Sequence, residues 1–324
     1  MNGQIKVSVC IPVYNAEAYI EQCVRSLFEQ TLDSIEYVFI DDCSSDNSIG
    51  VMQNILEEYP HRKHQVKIIR HQVNKGVTQS RCDGVASCTG DYIIHCDADD
   101  WVDANMYETM YNKAIETDAD VVCCNKKIHK KNFYRIVKMP NISTSDEFIC
   151  RVVSNISFSS LWDKLFRKTI AKSLDLYIPT DIYMREDVIR LVQMLLKCQK
   201  IAFVDNPFYN YRLSSNSLTG NVTREKYENV LASTEILGEI LLDSRFKKAL
   251  TALKCLDLLS AVKKTNLLTP FEFHKKVNEL DYSDIKAAMK LLTKQERILF
   301  LIALHNYRIA TVSFQIYKTI KKFL

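Results

Sequence analysis

The stretch Tyr92-Ile93-Ile94-His95-Cys96-Asp97-Ala98-Asp99-Asp100 decides the fold. Its first five residues are a short apolar run that reads as a buried strand. The next four carry three carboxylates. Open α/β sheets bind ligands beyond the carboxyl ends of their strands, so these side chains emerge where a ligand is expected. Residues i and i+2 of an extended segment point to one side, which lets Asp97 and Asp99 face a single cation. Hard oxygen donors of this kind suit Mg²⁺ or Mn²⁺ bridged to substrate phosphates. Taken alone, an Asp-x-Asp is more often an acidic loop or a helix cap, and Asp100 or Asp103 could cap a helix starting near Ala104.

Outward from this stretch, the first half of the chain alternates strand and helix patterns. Val7 to Val13, Tyr37 to Ile40, Val66 to Ile69 and Asp120 to Cys124 read as strands. Ala18 to Gln30, a helix carrying Val51, Ile55, Leu56 and Tyr59, Thr78 to Ser87 and Ala104 to Thr117 separate them. That alternation argues βαβ units and a mainly parallel sheet with its loops on one edge. Lys126 to Met139 reads as a hairpin turning at Lys130-Lys131-Asn132, Asp187 to Cys198 as a helix, and Ile201 to Val204 as a short strand. From about Arg224 the pattern is helical, and the Ser-Asn-rich segment Ser214 to Asn221 puts a boundary near residue 220.

Composition narrows the function. The 324 residues are 47% hydrophobic and 25% charged, as in an ordinary globular protein. A net charge of +4 is too mild for a nucleic-acid footprint. The eleven cysteines lack a C-x-x-C, and several sit at apolar positions where a thiol acts as a small hydrophobe. With no signal peptide ahead of Ile5, a reducing cytoplasm is expected. Seven histidines in no H-x-H or H-E-x-x-H arrangement leave zinc without an obvious site. Seven scattered glycines build no phosphate-cradling loop, so nucleotide phosphates would need a metal and basic side chains.

Four segments join the Asp tetrad. Pro12-Val13-Tyr14-Asn15 offers a ring on which a base can stack, although a buried turn tyrosine fits as well. Asp41-Asp42-Cys43-Ser44-Ser45-Asp46 offers an acceptor for a uracil imide N–H, or a solvated turn that caps the next helix. Asn74-Lys75-Gly76 with Arg81 and Gly84 supplies a cation able to reach a diphosphate, or a surface ion pair. Arg185-Glu186-Asp187 opens an amphipathic helix, where carboxylates serve the helix dipole or act as a general base.

In this order the segments resemble glycosyltransferase family 2, nucleotide-sugar transferases of the GT-A fold. Leu161-Trp162-Asp163-Lys164-Leu165 is similar to that family's W-x-K-L segment, and Pro207-Phe208-Tyr209-Asn210-Tyr211-Arg212 to its Y-x-Y-R. Cys43, Cys82 and Ser80 depart from the family's usual glycine, asparagine and alanine. The resemblance implies a GT-A catalytic domain over 1–220, with a nucleotide-binding half of about 1–125 and an acceptor-side half of about 126–220. A helical region over 221–324 follows.

It also implies an inverting transfer from a nucleoside diphosphate sugar, UDP-linked, to a hydroxyl on a glycan or lipid-linked glycan, without nucleic acid. By resemblance Tyr14 and Asp42 hold the base, Arg81 the phosphates, Asp97 the ribose side and Asp99 a Mn²⁺ or Mg²⁺ ion. Pro12, Glu17 and Ala98 join the nucleotide-binding set, and Asp187 is the general base. Tyr209 to Arg212 is expected as a loop folding back over the donor with Arg212 near the diphosphate, or as an aromatic seal on the sheet edge. A sugar-phosphate nucleotidyltransferase would open with a Gly-rich loop that Pro12 to Glu17 lacks, and a non-catalytic carbohydrate-binding relative is the third reading. The apolar Ile298 to Ile302 and the mixed apolar and basic Arg308 to Phe323 suit peripheral contact with the inner membrane face, packing on other helices, or a homodimer seam.

Overall fold

The computed structural model describes residues 4–130, 133–140, 142–154, 158–173, 178–179, 181–213, 223–263, 267–312 and 314. The turn at Lys131-Asn132, the segment Ser214 to Asn221 and the terminal residues from 315 lie outside them. Contacts divide the chain into two compact units. One comprises Met1–Ser145, Ser159–Tyr183 and Arg190–Ser217; the other comprises Asp146–Phe158, Met184–Ile189 and Leu218–Leu324.

The first unit is a mixed sheet with helices. In chain order it contains β1 (Val7–Val13), α1 (Ile20–Phe28), β2 (Ile35–Asp41), α2 (Ser48–Glu58), β3 (Val66–Arg70), α3 (Gly76–Ser87) and β4 (Tyr92–His95). β5 (Trp101–Val102), α4 (Met106–Thr117), β6 (Val121–Lys130) and β7 (Phe133–Val137) follow. After α5 (Ser145–Ser154), whose residues fall mostly in the second unit, come β8 (Lys164–Arg167), α6 (Lys168–Ala171), α7 (Glu186–Lys197), whose residues up to Ile189 also fall in the second unit, and β9 (Ile201–Arg212). The strand order is β3-β2-β1-β4-β8-β6-β9-β5, with β7 on β6. Parallel pairing dominates, joining β3, β2, β1 and β4 and also β6 with β9. β5, β7 and β8 pair antiparallel.

β1 is central and its two faces are both covered, which explains its nearly continuous apolar run. Val7, Val9, Ile11 and Val13 join the core with α1 and α4, while Cys10 meets α3. A Cβ on Gly84 would lie 2.3 Å from the Cys10 sulfur, so α3 approaches this closely only with glycine there. Pro12 is tolerated because it shares the parity of Cys10, whose carbonyl accepts the Cys96 N–H at 3.0 Å on the β4 side. Beyond that bond β4 has ended, and a missing N–H costs no ladder bond.

The expectation of a loop at Tyr209 to Arg212 is corrected. β9 runs on through Pro207 to Arg212. Its register with β6 jumps from Cys124↔Val204 to Asn125↔Pro207, leaving Asp205 and Asn206 in a bulge. A bulge accommodates proline inside a strand, and the Asn125 amide donates to the Asp205 carbonyl at 2.6 Å. The hairpin expected over Lys126 to Met139 appears as β6 against β7.

The second unit carries α8 (Arg224–Ile240), α9 (Lys247–Lys263), α10 (Pro270–Asn278), α11 (Tyr282–Ala288) and α12 (Lys294–His305). Tyr227, Cys255, Leu258, Leu259, Phe273 and Phe300 are among its core residues. Thr269 with Glu272 and Thr293 with Glu296 form capping boxes that start α10 and α12. The apolar run Ile298 to Ile302 divides: Leu299 and Phe300 are buried, whereas Ile298 and Leu301 are exposed.

Candidate active site

The carboxyl ends of β1, β2 and β4 carry the expected residues. The backbone turns directly after β4, with the Asp100 N–H bonded to the Asp97 carbonyl at 3.1 Å. Asp97 and Asp99 stay partly exposed, and Ala98 and Asp100 are buried. Arg81 on α3 donates to Asp97 Oδ1 at 2.8 Å. Asp100 caps no helix. Its carboxylate accepts the Tyr209 hydroxyl at 2.8 Å and the Arg212 N–H at 2.7 Å. Asp103 instead pairs with Lys127 at 2.8 Å.

Arg212 closes this edge from β9. Its Nε donates to the Asp99 carbonyl at 2.9 Å, another nitrogen donates to Gln22, and the guanidinium lies 4.8 Å from the Trp101 ring centroid. Beneath it, Trp162 stacks on Tyr209 with centroids 3.9 Å apart and planes 14° apart. The aromatic segment therefore seals the edge, and its last residue reaches the carboxylate tetrad.

At the end of β1, Tyr14 is 54% exposed, so its ring face is available. Asn15 adopts a left-handed φ of 48°, and its side-chain oxygen accepts the Ser45 N–H at 2.8 Å. Glu17 accepts the Asn47 N–H at 2.9 Å, latching the loops after β1 and β2 together. Cys43 has φ 61°, the conformation that favours glycine. Asp42 is engaged on three sides: it accepts the Lys75 and Gly76 N–H groups, each at 2.8 Å, and the His71 ring at 2.7 Å. It thus caps α3, and Gly76 with φ 82° makes the turn that presents those donors.

Glu186 and Asp187 open α7. The Glu186 carboxylate folds onto the Asp187 N–H at 2.5 Å and Asp187 onto the Val188 N–H at 2.8 Å, the contacts of a helix start. Glu186 is buried, while Asp187 keeps part of its surface exposed. The residues just before them are held from α8 and α9. Asn229 accepts the Met184 N–H at 2.8 Å, and Ser233 donates to the Met184 carbonyl. Arg185, in a left-handed conformation with φ 64°, pairs with buried Asp257 at 2.6 Å and donates to Thr234 at 3.1 Å.

The tetrad fits a divalent cation that keeps most of its ligands from substrate and water. Burial and the neighbouring Asp97 charge raise the Asp99 carboxyl above the ordinary range. Burial, then Asp99 and Asp97, raise Asp100 well above it. A cation would relieve that repulsion. Among the described residues no three His, Cys, Asp or Glu side chains form a closed metal cage. One or two carboxylates plus phosphates are what Mg²⁺ commonly takes.

The sequence pattern of glycosyl transferase family 2 matches residues 8–192, which include all of these segments up to α7. The chain belongs to glycosyl transferase family 2. Among its relatives, the uncharacterized glycosyltransferase EpsJ of Bacillus subtilis is 28% identical over 223 residues, 66% of this chain and 62% of EpsJ. The match therefore spans less than two thirds of that relative. S. aureus TarS 1–349, solved with UDP-GlcNAc, superposes with a TM-score of 0.70 at 20% identity, covering 96% of this chain and 91% of that 1–349 chain. The mannosyltransferase PcManGT of Pyrobaculum calidifontis, solved with GDP-Man and Mn²⁺, superposes at 0.57 and 15% identity, covering 97% and 88%. The architecture is the family's GT-A fold, followed by a helical C-terminal region.

Several contributors lie outside the motif segments quoted above. Gln22, His71, Asn229, Ser233, Thr234 and Asp257 are isolated polar residues, and each meets its partner from 29 to 190 positions away.

Proposed function

We propose that this chain is an inverting, divalent-cation-dependent glycosyltransferase. It moves a sugar from a UDP-sugar to a hydroxyl on a glycan or lipid-linked glycan, in the assembly of a surface polysaccharide. The observation that carries the reading is the convergence at one sheet edge of Asp97, Asp99, Arg81 and Arg212. The UDP-GlcNAc complex of TarS and the Mn²⁺ complex of PcManGT support it, each as a property of that protein.

In this reading the exposed Tyr14 ring stacks on the base, with Pro12 shaping the strand end and Glu17 holding the loop beside it. Asp42 accepts the uracil imide N–H, and Asp97 with Ala98 borders the ribose. A Mn²⁺ or Mg²⁺ ion bound by Asp99 would supply positive charge against the departing diphosphate. Arg81 adds a fixed cation toward the same charge, a preorganised electrostatic contribution. Asp187 accepts the acceptor hydroxyl's proton as its oxygen attacks the anomeric carbon. The new C–O bond forms opposite the C–O bond to phosphate, which breaks with its electron pair leaving on the nucleoside diphosphate. One displacement of this kind inverts the anomeric centre.

Lipid-linked acceptors put the working site in the cytoplasm at the membrane face. Exposed Ile298, Leu301, Ile309 and Val312 support a surface contact, with a bilayer or with a second copy. Sedimentation with anionic vesicles and ultracentrifugation of the free protein separate those two.

A panel of sugar nucleotides with Mn²⁺ tests the chemistry. Release of UDP from one donor is expected. Pyrophosphate-dependent turnover would mean nucleotidyl transfer instead, and binding without turnover would mean a non-catalytic relative.

A further inference from the structure

We propose that His71 is a positioning residue that aims the Asp42 carboxylate and thereby sets selection of the donor's base. The inference rests on the reading above in which Asp42 meets the base.

His71 directly follows β3, and its N–H donates to the Asp41 carbonyl at 2.9 Å. The side chain is 3% exposed and bridges two carboxylates: Nδ1 lies 2.7 Å from Asp42 Oδ1, and Nε2 lies 2.9 Å from Asp83 Oδ2. A carboxylate oxygen accepts, so the ring donates from the nitrogen that carries its proton. Bonds of this type are short and about twice as strong as neutral ones.

The Asp42 side chain is itself only 4% exposed. Oδ1 takes the His71 ring and the Lys75 N–H, and Oδ2 takes the Gly76 N–H. A carboxylate offers about four lone-pair sites, so one remains, on Oδ2. The backbone donors at the start of α3 pin one side of the group, and His71 pins the other. Rotation about the Asp42 side chain is then blocked, and the last lone pair has a set direction. The ring is fixed in turn, because Asp83 accepts from Gln79 at 2.8 Å and lies 3.5 Å from the Lys75 ammonium.

Uracil presents an N–H at ring position 3, whereas cytosine presents a lone pair there. An aimed carboxylate favours the first and repels the second. The ratio of UDP to CDP affinity therefore reports the aim of Asp42, and a merely structural histidine would move both affinities together.

The test uses the full chain with Mg²⁺ and titration calorimetry of UDP and CDP. An asparagine amide can replace the Nδ1 donor, and a glutamine amide the Nε2 donor. His71→Asn should keep most of the UDP preference. His71→Gln, which loses the Asp42 contact, should weaken UDP by roughly tenfold to a hundredfold and leave CDP unchanged or bound more tightly. Equal effects of the two variants, or an unchanged ratio in His71→Gln, would overturn the proposal. If both variants misfold, Asp83→Asn decides on a partly exposed residue. It should lower the ratio by roughly twofold to tenfold, and an intact ratio would sink the idea. Asp42→Asn separates the two claims. Wild-type UDP affinity in that variant removes Asp42 from the base and the parent reading with it. A collapsed ratio there, with an intact one in His71→Gln, removes His71 alone.

Discussion

The proposed metal ligand, Asp99, and the proposed base, Asp187, each belong to a pair of carboxylates, and the two pairs are supported in different ways. Asp97 and Asp99 sit at the end of a four-residue strand whose pairing with β1 fixes where they emerge. Glu186 and Asp187 sit at a helix start, after two residues that side chains of α8 and α9 hold. A strand end inherits its position from backbone hydrogen bonds that any compatible sequence can make. A helix start preceded by a left-handed arginine persists only while specific partners constrain it, since such a conformation costs of order 1–3 kcal/mol. The first arrangement should tolerate changes around it, and the second should not.

The largest expected effect breaks the first pair at its centre. Asp99→Asn should abolish turnover while the fold stays intact. Because it removes a charge that raises Asp100, the metal-free variant should melt at or above the wild-type temperature. Activity that survives in this variant, or in wild type with EDTA, would refute the cation assignment.

Next comes the helix start. Asp187→Asn should lower kcat by ~10²–10⁴-fold with donor binding close to normal, the usual scale for a lost general base. If Glu186→Gln is the crippling change and Asp187→Asn mild, the buried carboxylate is the base and the exposed one is not.

Asp257→Asn sharpens the comparison without touching either pair. Removing one charge of a buried pair costs roughly 3–5 kcal/mol, visible as a lower denaturant midpoint. Where the variant is still folded, kcat should fall with donor affinity unchanged. A drop in stability with kcat intact would mean that the clamp serves the fold and not the aim of Asp187.

The smallest effect concerns α10. Bonds from the Thr269 backbone and hydroxyl, and then Arg224, hold the Glu272 carboxyl down to about 2 from an ordinary 4.5. A lowered folded value contributes stability above the unfolded value, and that stability is lost as pH falls toward 2. Glu272→Gln should therefore melt below wild type at pH 7 and converge with it near pH 2. Parallel curves across that range would contradict the linkage.

Much of the fold was legible because its signals are periodic and local. Val7 to Val13 reads as a strand covered on both faces and is one. The strand and helix order up to β4 follows the alternation, since period 2 and period 3.6 are written into neighbouring residues. β9 was misread because Pro207 usually ends a strand, and the bulge that accommodates it depends on Asn125, some 80 residues earlier. β5 and β8 are too short to carry a period at all.

The sequence by itself determined the carboxylates at a strand end, the aromatic and basic residues near neighbouring strand ends, the helical character of the C-terminal region and the family the motifs define. Each depends on residues a few positions apart, whose geometry the backbone transmits directly. Only the tertiary structure decided that Asp42 is gripped by α3 and His71, that Arg212 reaches the Asp99 carbonyl, and that Arg185 is pinned to Asp257. Those contacts join residues 29 to 113 positions apart. Their existence depends on how whole elements pack, which no local period encodes.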